Sequence, residues 1–453
     1  MNTPRTTRPT LIRRARLIDP VRRTDLIGDI LVADGHIASS GPAVEGRPDG
    51  CVVIEGEGLI CTPGFIDLHA HLREPGFEYK ETIATGAAAA ARGGFTTVCC
   101  MPNTDPPIDS EPMIEFVLRR ATEAGGIRVL PIGCVTRGRE GKELADLEEM
   151  AAAGAVAFSD DGDPVQDANL MRMALTYGAD LDRPVSNHCQ DLLLSADGVM
   201  AEGSVATRLG LPGIPPAAED AMIARDIALA GSTGGKLHVA HVSTAGSVPL
   251  VRRAKELGLR VTAEVCPHHL TITDEWALGA KGGGTGPSEW AYDTSTKVYP
   301  PLRSQRDVDA LVEALADGTL DCIATDHAPH DVASKHVTYH DAAFGISVLE
   351  TALGSVMQLA HDRHVTLPTL IHRLTAGPAE VLGPEYLDLA TLSRGTPADL
   401  VLIDPNEEWT VDSSEFASKG RNTPLDGTRL RGRVVATIAG GSLVYMSKEL
   451  RIQ

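Results

Sequence analysis

At 453 residues the chain is too long for one small domain and long enough for a large barrel plus a smaller unit. Its net charge of -20 argues against a nucleic-acid or acidic-membrane partner, but not against an anionic small molecule, which needs only a local basic pocket. No apolar run reaches the length of a membrane span, and Met1 to Pro20 carries five arginines without an apolar segment, so no secretory signal is expected.

In chain order, the first segment reads as β structure. Leu11 to Ile18, Asp29 to Ile37 and Cys51 to Ile60 are short apolar runs broken by turn signals such as Asp34-Gly35 and Glu57-Gly58. From Phe65 the pattern becomes strand, helix, strand. The expected strands are Phe65 to His69, Phe95 to Pro102, Arg128 to Thr136, Val156 to Asp161, Pro184 to His188, Leu237 to Ser243, Val261 to Pro267 and Asp321 to Ala328. Helices are expected at Thr85 to Arg92, Leu144 to Ala153, Glu219 to Ala230 and Ser247 to Leu257. Eight apolar strands alternating with helices predict an α/β fold, a (β/α)₈ barrel; a doubly wound sheet is the alternative. The glycine-rich stretch Gly282 to Pro287, within an insertion at 279–296, reads as an exposed loop. After Ala376 the chain turns β-like again, at Ala398 to Ile403, Trp409 to Val411 and Arg433 to Tyr445. Both ends are therefore expected to pair into one β-sandwich domain, residues 1–62 with 376–453, around a barrel at 63–375. The eight cysteines form no Cys-x-x-Cys pair and read as reduced structural thiols of a cytoplasmic protein.

Candidate chemistry gathers at the C-terminal ends of the expected strands, where barrel enzymes keep their active sites. Residues two apart on a strand share a face, so His69 and His71 point the same way and can grip one metal ion. Arg73 can hold a carboxylate by a bidentate contact. The second strand ends in Asn103, the fourth in Asp160 and Asp161, the fifth in His188, the sixth in His241, and the eighth in Asp326, His327 and His330. Singly, each has a bland reading: a helix cap for Asp161, satisfied core histidines for His188 and His241, a turn residue for Asp326. Together they supply ligands for two metal ions if one carboxylate bridges.

The run Gly64-Phe65-Ile66-Asp67-Leu68-His69-Ala70-His71 resembles the amidohydrolase superfamily, and its continuation Leu72-Arg73-Glu74-Pro75-Gly76 resembles the class I dihydroorotases. Gly93 to Thr97, Met101-Pro102-Asn103-Thr104, Glu264 to His269, Pro300-Pro301-Leu302-Arg303 and Ala324 to His330 agree with that family. The resemblance covers nearly the whole chain. It implies two zinc ions, one bound by His69 and His71 and the other by His188 and His241. It makes Asp161 the bridging carboxylate and Asp326 both a ligand and the catalytic acid and base. It places His71, Arg73, Asn103, His330, Tyr299 and the Phe344-Gly345 pair at the substrate. His268 and His269 match the family motif and read as structural. Tyr299 departs from the pattern, in which Asn precedes Pro-Pro-Leu.

The implied reaction is the reversible cyclisation of N-carbamoyl-L-aspartate to L-dihydroorotate in pyrimidine synthesis. The partner expectations are that small-molecule substrate, a homodimer and an aspartate carbamoyltransferase. Two alternatives stand beside it. One is a hydantoinase or allantoinase on the same fold. The other is a non-catalytic scaffold subunit for the carbamoyltransferase.

Overall fold

The computed structural model describes residues 8–44, 46, 48–448 and 450. The arginine-bearing segment read for targeting therefore lies partly outside the described residues, as do the outermost ends of the two sandwich segments.

The barrel is a closed ring of parallel staves. Phe65–Ala70, Phe95–Cys100 and Arg128–Pro131 pair in one run. Val185–Asn187, Leu237–Val239, Val261–Val265 and Cys322–Ile323 pair in another. The expected fourth strand shrinks to one residue, Phe158, which bridges Gly133 on one side and Val185 on the other. Its neighbour Asp160 turns its carboxylate onto the backbone N–H groups of Val135 and Thr136, at 2.9 and 3.0 Å, which ends regular pairing there. His327 closes the ring by pairing with Ala70. Closure removes the doubly wound alternative.

Two apolar layers hold this ring. Inside it, Ile66, Leu68, Cys99, Met101, Ile132, Cys322 and Ala324 pack together. Outside it, the helices lay small and branched side chains on the staves. Ile83–Gly93 is capped by a reciprocal Thr82–Thr85 pair and ends at Gly94, whose φ of 89° suits the left-handed turn. Phe65 and Phe95 meet edge to face at 5.6 Å between adjacent staves.

The two ends of the chain form one eight-stranded sheet. Ile60–Pro63 pairs in parallel with Thr10–Asp19 and antiparallel with Leu400–Thr410, which joins the N-terminal strands to the C-terminal ones. Its inner face encloses Ile12, Ile30, Ile54, Leu400, Leu402 and Ile438. The barrel-plus-sandwich class is thus the one observed, and the turn signal Asp34-Gly35 breaks the Asp29 to Ile37 run into a hairpin, where both residues take positive φ. Two details differ. Trp409 belongs to the same long strand as Leu400. Residues 376–390, expected in the sandwich half, instead pack with Ile66, Leu68 and Met101 of the barrel interior.

The glycine-rich insertion is ordered against its surroundings rather than free. Arg208 donates to the Gly282 carbonyl at 2.7 Å, and the Tyr292 hydroxyl donates to the Leu209 carbonyl at 2.9 Å. No helix among the described residues is long and apolar enough to cross a membrane.

Phe95→Ala empties a fully buried site and breaks the ring pair. It should lower the unfolding free energy by about 3–5 kcal/mol, read as a shifted urea midpoint. An unchanged midpoint would show that the Phe65–Phe95 contact is not part of what holds the staves.

Candidate functional site

The site follows from what each strand end does with its polar residue. His69 is the fifth residue of the first stave and His71 lies just beyond its end, with ring centroids 5.4 Å apart. Asp67 lies two residues earlier, where a register shift between Asp67 and Ala70 interrupts the pairing with the second stave. Its carboxylate accepts from the Thr325 N–H at 2.9 Å and the Thr325 hydroxyl at 2.6 Å, tying the first stave to the eighth. Burial pushes Asp67 up to about 6.

The tautomers of both imidazoles are set by what their Nδ1 atoms meet. His69 Nδ1–H donates to Glu264 at 2.7 Å, and His71 Nδ1–H donates to the Asn103 side-chain oxygen at 2.8 Å. Both Nε2 lone pairs therefore turn inward. His69 Nε2 lies 3.2 Å from Asp161 Oδ2, and His71 Nε2 lies 3.0 Å from Asp326 Oδ1. A lone pair facing an anionic oxygen at these distances needs a proton or a cation between them. Burial disfavours both imidazolium forms; at His69 the charges of Asp161 and Glu264 outweigh it and hold the group well above the usual histidine range, whereas at His71 burial wins and lowers it.

Asp161 divides its two oxygens. Oδ2 faces His69 and His71, at 3.2 and 3.4 Å. Oδ1 faces His241 and His188, at 3.2 and 3.6 Å. His188 Nδ1 and His241 Nε2 are 2.9 Å apart. Donor atoms of His69, His71 and Asp326 lie within 4.8 Å of one another, and so do those of His69, Asp161 and His241. Burial opposes the charge on Asp161, but His69, His188 and His241 hold its carboxyl well below the ordinary range. Asp326, also buried, is held down to about 2 by the hydrogen bond from His71 and the charges of His69 and His241. The donor set is imidazole nitrogen and carboxylate oxygen, with Asp161 turning one oxygen to each pair of histidines, which fits a pair of divalent ions such as zinc.

Three residues here hold strained backbones. Arg73, His241 and Asp326 have φ of 62°, 31° and 45°, a region that costs non-glycine residues about 1–3 kcal/mol each. Strain of this kind persists only where the surroundings over-determine it.

The remaining candidates lie beside the four histidines. Arg73 is buried and leans on the Pro329 carbonyl at 3.3 Å; among the described residues no carboxylate lies within ion-pair distance of it. Burial lowers it to about 10, so it remains a cation. His330 donates from Nε2 to the Phe344 carbonyl at 2.8 Å; burial and the charges of Arg73 and Lys335 lower it to about 2, so it is neutral. The Tyr299 ring stacks on His188 at 4.8 Å and also meets Phe344 at 4.8 Å. Gly345 is spent on structure: its N–H donates to the Lys297 carbonyl and its own carbonyl accepts from Asn422, both at 2.9 Å. Asp160, the rejected neighbour of Asp161, supports the Val135–Thr136 turn and faces no histidine of the group.

Sequence reasoning missed Glu264 and Asp67 as individual residues. Glu264 accepts from His69 with one oxygen and from His238 Nε2 with the other, at 3.0 Å, and also takes the His241 backbone N–H at 3.3 Å. The available signal was a carboxylate inside the apolar strand Val261–Val265, where an anion needs a reason.

The Dihydro-orotase-like family matches residues 58–247. A protein named dihydroorotase from Anaeromyxobacter dehalogenans is 51% identical over 434 residues, covering 96% of this chain and 97% of that protein. Another from Pelotomaculum thermopropionicum is 51% identical over 442 residues, covering 97% and 99%. A third, from Syntrophus aciditrophicus, is 46% identical over 435 residues, covering 96% and 99%. Among solved structures, the L-hydantoinase (dihydropyrimidinase) of Arthrobacter aurescens superimposes with a TM-score of 0.83 at 23% identity, covering 98% of this chain and 97% of that one. The dihydropyrimidinase of Brevibacillus agri gives 0.82 at 21% identity, covering 98% and 96%. These last two likenesses speak to the fold.

Glu264→Gln keeps the shape but can no longer accept at both oxygens. A carboxylate that orients a ligating histidine is typically worth 10–100-fold in metal affinity. A competition titration with a chelator should therefore show about that loss of affinity for the histidine group. Unchanged affinity would show that the Glu264–His69 contact does not set the ligand.

Proposed function

The chain belongs to the dihydroorotase family of cyclic amidohydrolases, and we propose that it catalyses the reversible cyclisation of N-carbamoyl-L-aspartate to L-dihydroorotate in pyrimidine biosynthesis with two zinc ions. In this reading His69 and His71 hold one ion, His188 and His241 the other, Asp161 bridges them, and Asp326 completes the first. The observation that carries the substrate assignment is Arg73, a buried cation without a carboxylate partner among the described residues, beside the histidine group. A hydantoin or allantoin ring offers it no carboxylate; dihydroorotate and carbamoyl aspartate do.

When bound, such a pair brings water to its nucleophilic form near neutral pH and polarises the amide carbonyl. The chain supplies the rest. Arg73 takes the substrate carboxylate through its planar donor fork. The Asn103 side-chain oxygen is already engaged by His71, so its NH₂ is the end left to donate to that carboxylate. His330, neutral and fixed by the Phe344 carbonyl, keeps its Nδ1 towards the same ligand. Tyr299 and Phe344 give the ring an apolar wall; the Tyr299 phenol, pushed up to about 12 chiefly by burial, stays protonated and keeps a hydrogen to donate. The Gly345 N–H and carbonyl, both engaged within the protein, shape that wall rather than bind the ring. Asp326, ionised at neutral pH, accepts the proton of the attacking water and returns it to the departing ring nitrogen. Opening adds a second carboxylate and releases a proton, so lower pH favours the ring.

A scaffold role without turnover has less support, because all six candidate ligands are present. Homodimer formation, association with an aspartate carbamoyltransferase and residence in the cytoplasm complete the proposal on family grounds; eight buried cysteines, none joined in a disulfide, are in keeping with the last.

Turnover of carbamoyl aspartate, hydantoin and allantoin should favour the first decisively. Arg73→Met should raise its KM roughly 10–100-fold, the weight of a charge-assisted contact; a variant with unaltered KM would leave the carboxylate without its proposed partner. Asp326→Asn tests the proton route. An amide can still offer an oxygen to the cation but cannot shuttle a proton, so turnover should fall by about 10²–10⁴-fold with zinc largely retained. Near-normal turnover in a zinc-replete Asp326→Asn protein would show that the proton travels by another path.

A further inference from the structure

The Cys266-Pro267-His268-His269 turn is left over from this account. Cys266 directly follows the seventh stave, and His268 and His269 lie on the single helical turn Pro267–Thr271. All three side chains are buried, His268 at 5% exposure and His269 at 2%. Their donor atoms lie within 4.8 Å of one another.

The polar atoms are oddly placed for a structural core. Among the described residues neither ring nitrogen of His268 has a hydrogen-bond partner, nor has Nδ1 of His269. Buried polar atoms without partners are rare in folded proteins and call for an explanation. His269 gives one. Its Nε2 sits 3.1 Å from the Pro300 carbonyl, and a carbonyl can only accept, so the proton is on Nε2. Nδ1 then carries a lone pair, buried beside a thiol and a second imidazole. That is how a metal-binding histidine is usually held, one nitrogen donating to a backbone carbonyl and the other free to ligate.

We propose that Cys266, His268 and His269 form a further cation site, taking one thiophilic divalent ion such as zinc through Sγ and two imidazole nitrogens. The three donors match zinc's preference for sulfur and nitrogen and leave a fourth position for water. Binding exchanges the thiol proton for the cation; the proton goes to solvent and no electron moves. Burial keeps both imidazoles in the neutral, ligating form, lowering His268 to about 4. Burial also raises the Cys266 thiol, so the cation itself must drive that deprotonation, as coordinated cations do.

A second thiol-containing group, His238, Glu264 and Cys322, makes the contrast. There His238 Nδ1 faces the Thr262 hydroxyl at 2.8 Å, His238 Nε2 donates to Glu264, and the other Glu264 oxygen is taken by His69. Every side-chain nitrogen and oxygen of His238 and Glu264 is therefore engaged.

The histidine–aspartate pair described above has only nitrogen and oxygen donors. A sulfur signature therefore reads Cys266 regardless of how many ions those histidines hold. Zinc-saturated wild-type protein should show a sulfur scatterer at about 2.3 Å in X-ray absorption, and its cobalt(II) form a thiolate charge-transfer band in the near ultraviolet. Cys266→Ser should abolish the band, and Cys322→Ser should keep it. Saturated wild-type protein with neither sulfur scatterer nor band overturns the proposal, and that result needs no variant to fold. A band that survives Cys266→Ser, or that vanishes only in Cys322→Ser, overturns it as well.

Discussion

The barrel mouth depends on one fully buried anion. An ionised carboxylate away from water is costly unless hydrogen-bonded donors replace the water it loses. Glu264, itself on the seventh stave, finds them on two others: His69 on the first, and His238 and the His241 backbone on the sixth. The attraction of His69 and His238 overcomes burial and holds its carboxyl far below the usual range. One charge thus fixes the tautomer of His69 and locates the backbone of His241. With the Glu264 oxygen occupied, His69 has only Nε2 left to turn to the centre. The same logic runs through Asn103 and His71. In both cases the atom that faces the centre is chosen by the atom that faces away.

That preorganisation explains how the strained backbones survive. His241 and Asp326 sit in left-handed conformations that free chains avoid. Around Asp326 the chain is pinned on both sides. Thr325 is held by Asp67, and the His327 carbonyl takes the His71 N–H at 2.8 Å. Next along, Asn422 from the C-terminal segment accepts from the His330 N–H and donates to the Ala328 and Gly345 carbonyls. The end of the eighth stave is therefore clamped by residues hundreds of positions away. The strain is local, and what maintains it is not.

This separation marks what could be read in the chain and what could not. His69 and His71 were legible because strand alternation is a local rule. The eight-stave pattern was legible from apolar periodicity, although the fourth stave reduces to Phe158. The choice between Asp160 and Asp161 was not legible from spacing, since both end the same apolar run; family likeness favoured Asp161, and the carboxylate that faces the histidines is that one. Glu264 announced itself only as a charge in an apolar strand, and its partners lie 26 and 195 residues away. Asn422 carried no local sign at all, because its role is a set of contacts to a distant loop. In the terminal sheet, Asp34-Gly35 was legible as the turn that breaks an apolar run, because residues that accept positive φ outweigh the apolar continuity on either side.

The same backbone serves proteins called hydantoinases and dihydropyrimidinases at 21–23% identity, so the barrel by itself does not decide the substrate. In the proposed reading, charge within the mouth does. The overall balance of -20 would repel a dicarboxylate from most of the surface. Inside, the two carboxylates Asp161 and Asp326 are gathered around the four histidines, where cations would neutralise them. Arg73 stands beside them with its charge unpaired by any acid among the described residues. Neutral His330, 3.4 Å from Arg73 and engaged with the Phe344 carbonyl, adds no second positive charge. A ligand that satisfies both parts must present a carboxylate to Arg73 and an amide carbonyl to the histidine group. A neutral cyclic amide would leave the guanidinium buried and desolvated with nothing in exchange. A ligand carrying the carboxylate at the wrong distance would satisfy one part and strand the other. On that proposal, selectivity rests on the penalty of an unpaired buried charge, which is larger than the gain from any single added contact.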